Sequence, residues 1–276
     1  MTKQQQNPIR NHKQEKFLLR YGPWAVVTGA SSGIGQALAE RLAAMGLNVV
    51  IVARRQGVLE KMATDLKARY KVEVKVLSLD LAQLNANEEL FIATRDLDVG
   101  LLVASAGFGT SGHFLQTTFS QEQEMLDVNC RALMVASLHF SQRFAKQGRG
   151  GLILLSSIVG FQGVPFAAHY AATKAYVQAL AEALAVELAP TGVDVLAAAP
   201  GPTNSGFAAR ADMQMGAALK PENLAQPILD ALGRRTIILP GFLSKLLVWS
   251  QAPLPRWVRV RIMGTVMQGM TKHQNA

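Results

Sequence analysis

The sequence predicts an α/β fold, a single doubly wound domain with a seven-stranded parallel sheet between two layers of helices. Three observations carry this expectation. Short β-branched runs alternate with helix-patterned stretches from Trp24 onward, which is the order of elements a parallel sheet with crossover helices requires. A glycine-rich turn, TGASSGIG from Thr28 to Gly35, follows the first run and opens the first helical stretch. The 276 residues, 49% apolar and 17% charged, suffice for one large core, and no internal repeat marks a second domain.

The strands are expected at Trp24–Thr28, Val49–Ala53, Val72–Leu77, Leu101–Ala104, Leu152–Leu155, Val193–Ala197 and Thr236–Leu239. Between them, sets such as Leu38, Leu42 and Met45, or Leu59, Met62 and Leu66, recur at the three-to-four spacing of a helix buried along one side. Right-handed crossovers then gather ligands at the carboxyl ends of the strands. Residues 1–20 read as a basic, polar arm, residues 21–240 as the nucleotide-binding catalytic domain, and residues 241–276 as a basic, apolar extension.

In that extension Pro253 and Pro255 separate two short apolar segments, neither near the roughly twenty uninterrupted apolar residues of a membrane span. Trp257, Val260, Met263, Met267 and Met270 share one helical stripe, with Arg256, Arg259 and Arg261 near its start. Two readings stay open, a peripheral contact with a membrane surface and packing on the sheet or on a second subunit.

The net charge of +9 is unevenly placed, with +4 in residues 1–20 and +7 in residues 234–276, which leaves −2 for the body. A nearly neutral body has no need of a polyanion, so no nucleic acid is expected as partner; the basic ends suit an anionic surface or solubility. The first twenty residues hold no apolar run of signal-peptide length, and the expected compartment is the cytoplasm. The lone cysteine, Cys130, cannot form an intrachain disulfide, and the five histidines lack ligand spacing. Neither a disulfide framework nor a metal is therefore expected.

Gly29, Gly33 and Gly35 follow a strand and start a helix, where backbone N–H groups reach a pyrophosphate at the positive helix end. The end of the second strand reads IVARR. An acidic residue there would bond the ribose hydroxyls of NAD, but Ala53 occupies the place, and Arg54 and Arg55 follow with forks suited to the extra phosphate of NADP. NADP(H) is accordingly preferred over NAD(H), unless both arginines are merely solvated at a helix start. Asp80, ending the third strand, either accepts from an adenine amine or caps the next helix.

Tyr170 and Lys174 form a Y-x-x-x-K, with Ser157 thirteen residues upstream. On a helix, residues four apart share a face, so the ammonium sits beside the phenol. With TGASSGIG, Asp80 and Leu81, Ser105–Gly107, Asn129, Ser157, YAATK from Tyr170 to Lys174, and APGP from Ala199 to Pro202, the chain resembles the short-chain dehydrogenase/reductase family from about Trp24 to Leu239. The approach to the first strand, FLLRYGPWAVVTGA, also resembles the 3-ketoacyl-CoA and steroid reductase branch.

The resemblance implies a Rossmann-type sheet ordered 3-2-1-4-5-6-7, carbonyl–alcohol interconversion with NAD(P)(H), and a homodimer or homotetramer. It extends the cofactor site to Ser31, Ser32, Ile34, Leu81, Ser105, Ala106, Gly107, Pro200, Gly201, Thr203 and Ser205, with Tyr170 and Lys174 touching the cofactor as well. Tyr170 is the expected proton donor, and Lys174 the cation that favours its phenolate and bonds the nicotinamide ribose. Ser157, chosen over its neighbour Ser156 by the offset, polarises the substrate oxygen; Asn129 positions Lys174 through water. The family often reads NNAG where Ala104–Gly107 stands, so amides that brace the adenine side are absent, and Ser205 replaces a commoner threonine.

The stretches Phe108–Phe119, Val159–Ala168 and the segment after Pro202 fall at the carboxyl edge. They carry Phe108, Phe114, Phe161, Val164, Phe166, Phe207, Met213 and Met215 and no charge cluster, which suits a lipid-, steroid- or acyl-like carbonyl or alcohol. The alternative function is a dinucleotide-binding regulatory or scaffold protein that keeps the fold without turnover.

Overall fold

The computed structural model describes residues 12–214, 216 and 218–275. Its strands are β1 Trp24–Thr28, β2 Asn48–Ala53, β3 Val74–Ser78, β4 Val99–Ala104, β5 Gly150–Leu155, β6 Val193–Ala198 and β7 Ile237–Ile238. Its helices are α1 His12–Tyr21, α2 Gly33–Ala44, α3 Gln56–Tyr70, α4 Ala86–Thr94, α5 Phe119–Leu126, α6 Leu133–Gln147, α7 Ala168–Glu187, α8 Phe207–Arg210, α9 Glu222–Ala231, α10 Phe242–Trp249 and α11 Arg256–Met270. The strands form one parallel sheet in the order β3-β2-β1-β4-β5-β6-β7, the expected order.

Side chains on a strand alternate between faces, and both faces here are apolar because helices cover both. Val27, Ile51, Val103, Ile153 and Leu196 meet α2, α3 and α9. Val26, Val50, Leu102, Leu152 and Val195 meet α4, α6 and α7. The strand β7 is shorter than expected: it pairs only through Ile237 and Ile238, because Pro240 has no N–H to continue the ladder and Gly241 turns the chain at φ 83°.

Part of the expected polar arm is ordered as α1. Phe17 and Leu18 pack against the core and Tyr21 is buried in it. The Tyr21 hydroxyl donates to Asp194 Oδ2 at 2.6 Å, Arg20 pairs with the same carboxylate, and Lys13 reaches Asp230 at 2.7 Å. Only three apolar residues in the helix touch the core, too few to stand out among glutamines and lysines in the sequence. Residues 1–11 of the arm lie outside the described residues.

The extension likewise packs on the domain. Met263, Met267 and Met270 of α11 lie against Val164 and Tyr170. Gln214 N donates to Met270 O, and the Gln274 side chain donates to Asp212 O and to Ser111 Oγ. The two segments that follow β4 and β6 are thus tied to the chain's end. Among the described residues no helix is long and apolar enough to cross a membrane.

Candidate active site

Thr28, the last residue of β1, fixes the glycine turn to the strand beside it: its Oγ1 accepts from Ser105 N and Ala106 N, both at 3.1 Å. Gly29 (φ 69°) passes so near this turn that a Cβ would stand 2.8 Å from the Ala106 backbone, and at Gly33 (φ 58°) one would stand 2.6 Å from Ser205 Cβ. The protein's own backbone needs these glycines before any ligand arrives. The helix α2 begins with Ser32 extended and without a side-chain cap, so amides at its positive end point unclaimed into the groove. The donor set fits a dinucleotide pyrophosphate.

At the end of β2, Arg55 donates to Ser31 O at 2.9 Å and to Ser31 Oγ at 3.1 Å. Arg54 pairs with Glu124 at 3.2 Å, and Arg210 reaches the same oxygen at 3.0 Å with its guanidinium 3.5 Å above the Phe108 ring. Burial and the Arg54 charge hold Arg210 below the usual guanidinium range. Asp80 Oδ1 accepts from Ala82 N at 3.1 Å, closing a turn ahead of α4 rather than capping that helix, whose N-cap is Asn85, while Asp80 still lines the groove. All the residues assigned by sequence to the cofactor line one cavity of about 910 Å³, together with Ser157.

Asn129 lies inside a π-helical stretch, Asp127–Ala132, that joins α5 to α6. Such wide turns recur at functional sites because they turn a side chain out of helical register. Its amide grips the chain after β4 from both sides, Oδ1 accepting from Phe108 N at 3.1 Å and Nδ2 donating to Phe108 O at 2.8 Å, and it reaches Thr173 Oγ1 at 3.0 Å. The side chain is 1% exposed and does not line the cavity.

Ser156 and Ser157 part company. Ser156 is buried and donates to Lys174 O at 2.9 Å, pinning α7 to the end of β5. Ser157 lines the cavity with Tyr170, its Oγ donating to Pro200 O at 3.5 Å and accepting from Val159 N at 3.4 Å. Burial pushes the Tyr170 phenol up to about 12, with the Ser157 hydroxyl pulling it partly back. This is the reverse of the expected drop. Lys174 is itself buried, its pKa lowered to about 8 by desolvation, and its Nζ donates to Leu155 O at 2.8 Å, 5.9 Å from the centre of the Tyr170 ring.

Of the residues expected to face substrate, Phe108, Phe161, Phe207 and Met213 line the cavity, and Phe207 lies 5.1 Å from the Tyr170 ring. Val164 and Phe166 sit in the apolar cluster behind it. Phe114 is 64% exposed, turned away on a short 3-10 turn, and Met215 lies outside the described residues. Sequence reasoning missed the roof: Leu243, Leu247 and Val248 of α10, with Met263 and Met267 of α11, close the cavity. It also missed Thr28 and Ser244, whose Oγ accepts from Gly201 N at 2.9 Å. Hydroxyls that brace loops carry no spacing signal.

The fold and site together define a doubly wound dinucleotide-binding protein with a buried tyrosine and lysine at the carboxyl ends of the strands. The chain belongs to the short-chain dehydrogenase family, whose model matches residues 23–216, and it is an oxidoreductase of that family. It is similar to a 7beta-hydroxysteroid dehydrogenase of Clostridium sardiniense, 34% identical over 83% of this chain and 89% of the relative. It is also similar to a very-long-chain 3-oxoacyl-CoA reductase of Podospora anserina, 36% identical over 63% of this chain and 53% of the relative. A solved short-chain dehydrogenase from Sphingobium yanoikuyae in complex with NADPH superposes with a TM-score of 0.76 at 30% identity, covering 84% of this chain and 94% of that one.

The buried Lys174 has a consequence for stability. Its folded pKa, about 8, lies below its unfolded value, so between the two the unfolded chain binds more protons and stability rises with pH. The raised Tyr170 pKa acts in the opposite sense only above the ordinary tyrosine value of about 10. In chemical denaturation of the cofactor-free protein, stability is expected to climb from pH ~8 toward ~9, by at most about 1.4 kcal/mol per pH unit, before the buried Cys130 thiol, pushed up to about 11, offsets the gain. Lys174→Met is expected to flatten that climb; an identical slope in the variant contradicts the buried-ammonium assignment.

Proposed function

We propose that this oxidoreductase is an NADPH-dependent reductase that interconverts a carbonyl and an alcohol on an apolar, steroid- or acyl-like substrate. One observation carries the reading: Ser157, Tyr170 and Lys174 meet the phosphate-binding groove in a single cavity whose other walls are mostly apolar, among them phenylalanine, methionine, leucine and valine, with a few polar groups such as Arg259 and Gln251. The activities of the similar proteins, on a hydroxysteroid and on a 3-oxoacyl-CoA, support the apolar substrate. The NADPH-bound neighbour and the two arginines after Ala53 support the cofactor.

Carbonyl reduction needs a hydride on carbon, which bound NADPH supplies, and a proton on oxygen. Tyr170 holds that proton: at neutral pH a phenol whose pKa is about 12 is fully loaded. Ser157 donates a hydrogen bond to the same oxygen as negative charge develops there. Lys174 stays cationic below about 8, binds the ribose and favours the phenolate once the proton has left. Asn129 and Ser156 act earlier, by fixing the chain after β4 and the Lys174 turn of α7.

Tyr170→Phe is expected to retain NADPH binding by fluorescence titration and to lose on the order of a hundredfold to ten-thousandfold in substrate-dependent NADPH oxidation. An unchanged rate removes Tyr170 as the acid, and it is the absence of turnover in the wild type that favours the scaffold reading. Arg54→Ala with Arg55→Ala is expected to narrow the ratio of kcat/KM with NADPH to that with NADH by on the order of tenfold or more. A ratio that stays the same assigns both arginines to solvent.

We also propose a second copy of this chain as partner and a peripheral membrane contact. Leu126, Met134, Leu138 and Tyr176 leave an apolar surface across α5, α6 and α7, which suits a homodimer or homotetramer. Phe242, Trp249 and Trp257 are 78%, 64% and 62% exposed beside Lys245, Arg256 and Arg261, in a segment with no acid, which suits an anionic lipid surface. Sedimentation reads out both: a dimer or tetramer mass without lipid, and co-sedimentation with phosphatidylserine vesicles that Trp249→Ala with Trp257→Ala abolishes. A monomer mass rejects the first proposal and a free protein band the second.

A further inference from the structure

Arg259 stands apart from the other arginines of its helix. Arg256 and Arg261 are exposed, and Arg261 stacks on Trp257 at 5.1 Å. Arg259 instead shares the inward face with Met263 and Met267, four and eight residues on, and lines the substrate cavity with them. Its Nε is buried and makes no hydrogen bond, and the side chain joins no ion pair among the described residues. The carboxylates that line the cavity are engaged elsewhere, Glu124 with Arg54 and Arg210 and Asp80 with Ala82 N. Residues 234–276 contain no acid at all.

Arg259 as a whole is half-buried, but its Nε is closed off from solvent without a partner, an arrangement that costs less once a ligand completes it. One other polar group in the roof is equally incomplete: Gln251, in the turn between α10 and α11, donates to Leu247 O, and its Oε1 is buried without a partner. The two face the same cavity. Arg259 offers a planar fork of donors that matches a carboxylate. Gln251 offers an acceptor for a hydroxyl, or a donor if the amide is turned over.

From this juxtaposition we infer that the substrate is an amphipathic oxo-acid, an apolar skeleton whose carbonyl meets Ser157 and Tyr170 while its ionised carboxylate is held by Arg259 on the roof. The inference deepens the reductase reading above and rests on it. It also explains how a cavity lined with unbranched methionines, which adapt to many shapes, still sets the direction in which a greasy molecule enters: the charge fixes one end and the reacting carbon the other.

The test compares an oxo-steroid carboxylic acid with its methyl ester in the full-length enzyme with NADPH. The wild type is expected to favour the acid in kcat/KM by on the order of tenfold to a hundredfold, mostly through KM. Arg259→Met is expected to erase that ratio and Arg259→Lys to restore part of it. Equal use of acid and ester by the wild type overturns the inference, as does a preference that survives Arg259→Met. If neither compound is reduced, the reductase reading fails for this skeleton, and calorimetry of the acid against the NADP-loaded protein decides the anchor. A weaker affinity in Arg259→Met sustains it, and an equal affinity ends it.

Discussion

Two hydrogen bonds join the end of β5 to one residue of α7. Lys174 Nζ donates to Leu155 O and Lys174 O accepts from Ser156 Oγ. Together they fix both the height and the rotation of α7 against the sheet, and so the direction in which Tyr170, one turn earlier, faces the cavity. The bonds are made where Lys174 is 6% exposed, and an ammonium there has few alternatives to the Leu155 carbonyl. Asn129 and Thr173 extend the same clamp to the chain after β4. Tyr170, the proposed acid, is therefore positioned by contacts that do not touch it.

That clamp also sets the electrostatics. Burial raises the phenol and lowers the ammonium, two shifts of opposite sign with one cause, because desolvation opposes whichever form carries charge. Both groups drift toward neutrality, yet at neutral pH the phenol keeps its proton and the amine its charge. This is the pairing a proton donor and its supporting cation require in the reductive direction. The lowering of the phenol that the Y-x-x-x-K spacing suggests requires the ammonium to approach the phenol oxygen, and here Leu155 O holds it instead.

The sheet was legible because its signals are local and periodic. Each strand is a β-branched run between helical stripes, and the order follows once the crossovers have one hand. The grouping of residues around the groove was legible for a related reason: glycines, Arg54, Arg55 and Asp80 fall at strand ends, where topology alone brings them together. What stayed hidden depends on contacts between distant segments. Thr28 is an ordinary strand residue until Ser105 and Ala106 arrive to use its hydroxyl. Likewise α1 looks like a polar arm until Tyr21 meets Asp194, and Asn129 looks like a cap until a π-helical turn swings it onto Phe108.

The extension shows how one helix serves two surfaces. Its apolar residues read as a single stripe in sequence, but packing divides them: Met263, Met267 and Met270 face the cavity, and Trp257 faces out. The division follows from residue type. Methionine fills an irregular roof at little cost in shape, whereas tryptophan keeps a polar edge that favours a boundary with water or headgroups. The arginines divide along the same line, two outward and one inward. The inward one is the part of the roof that shape alone does not explain, since an apolar lid would close better with a leucine at that place. Among the described residues no carboxylate pairs with that side chain, and its buried Nε is the feature that the proposed substrate carboxylate answers.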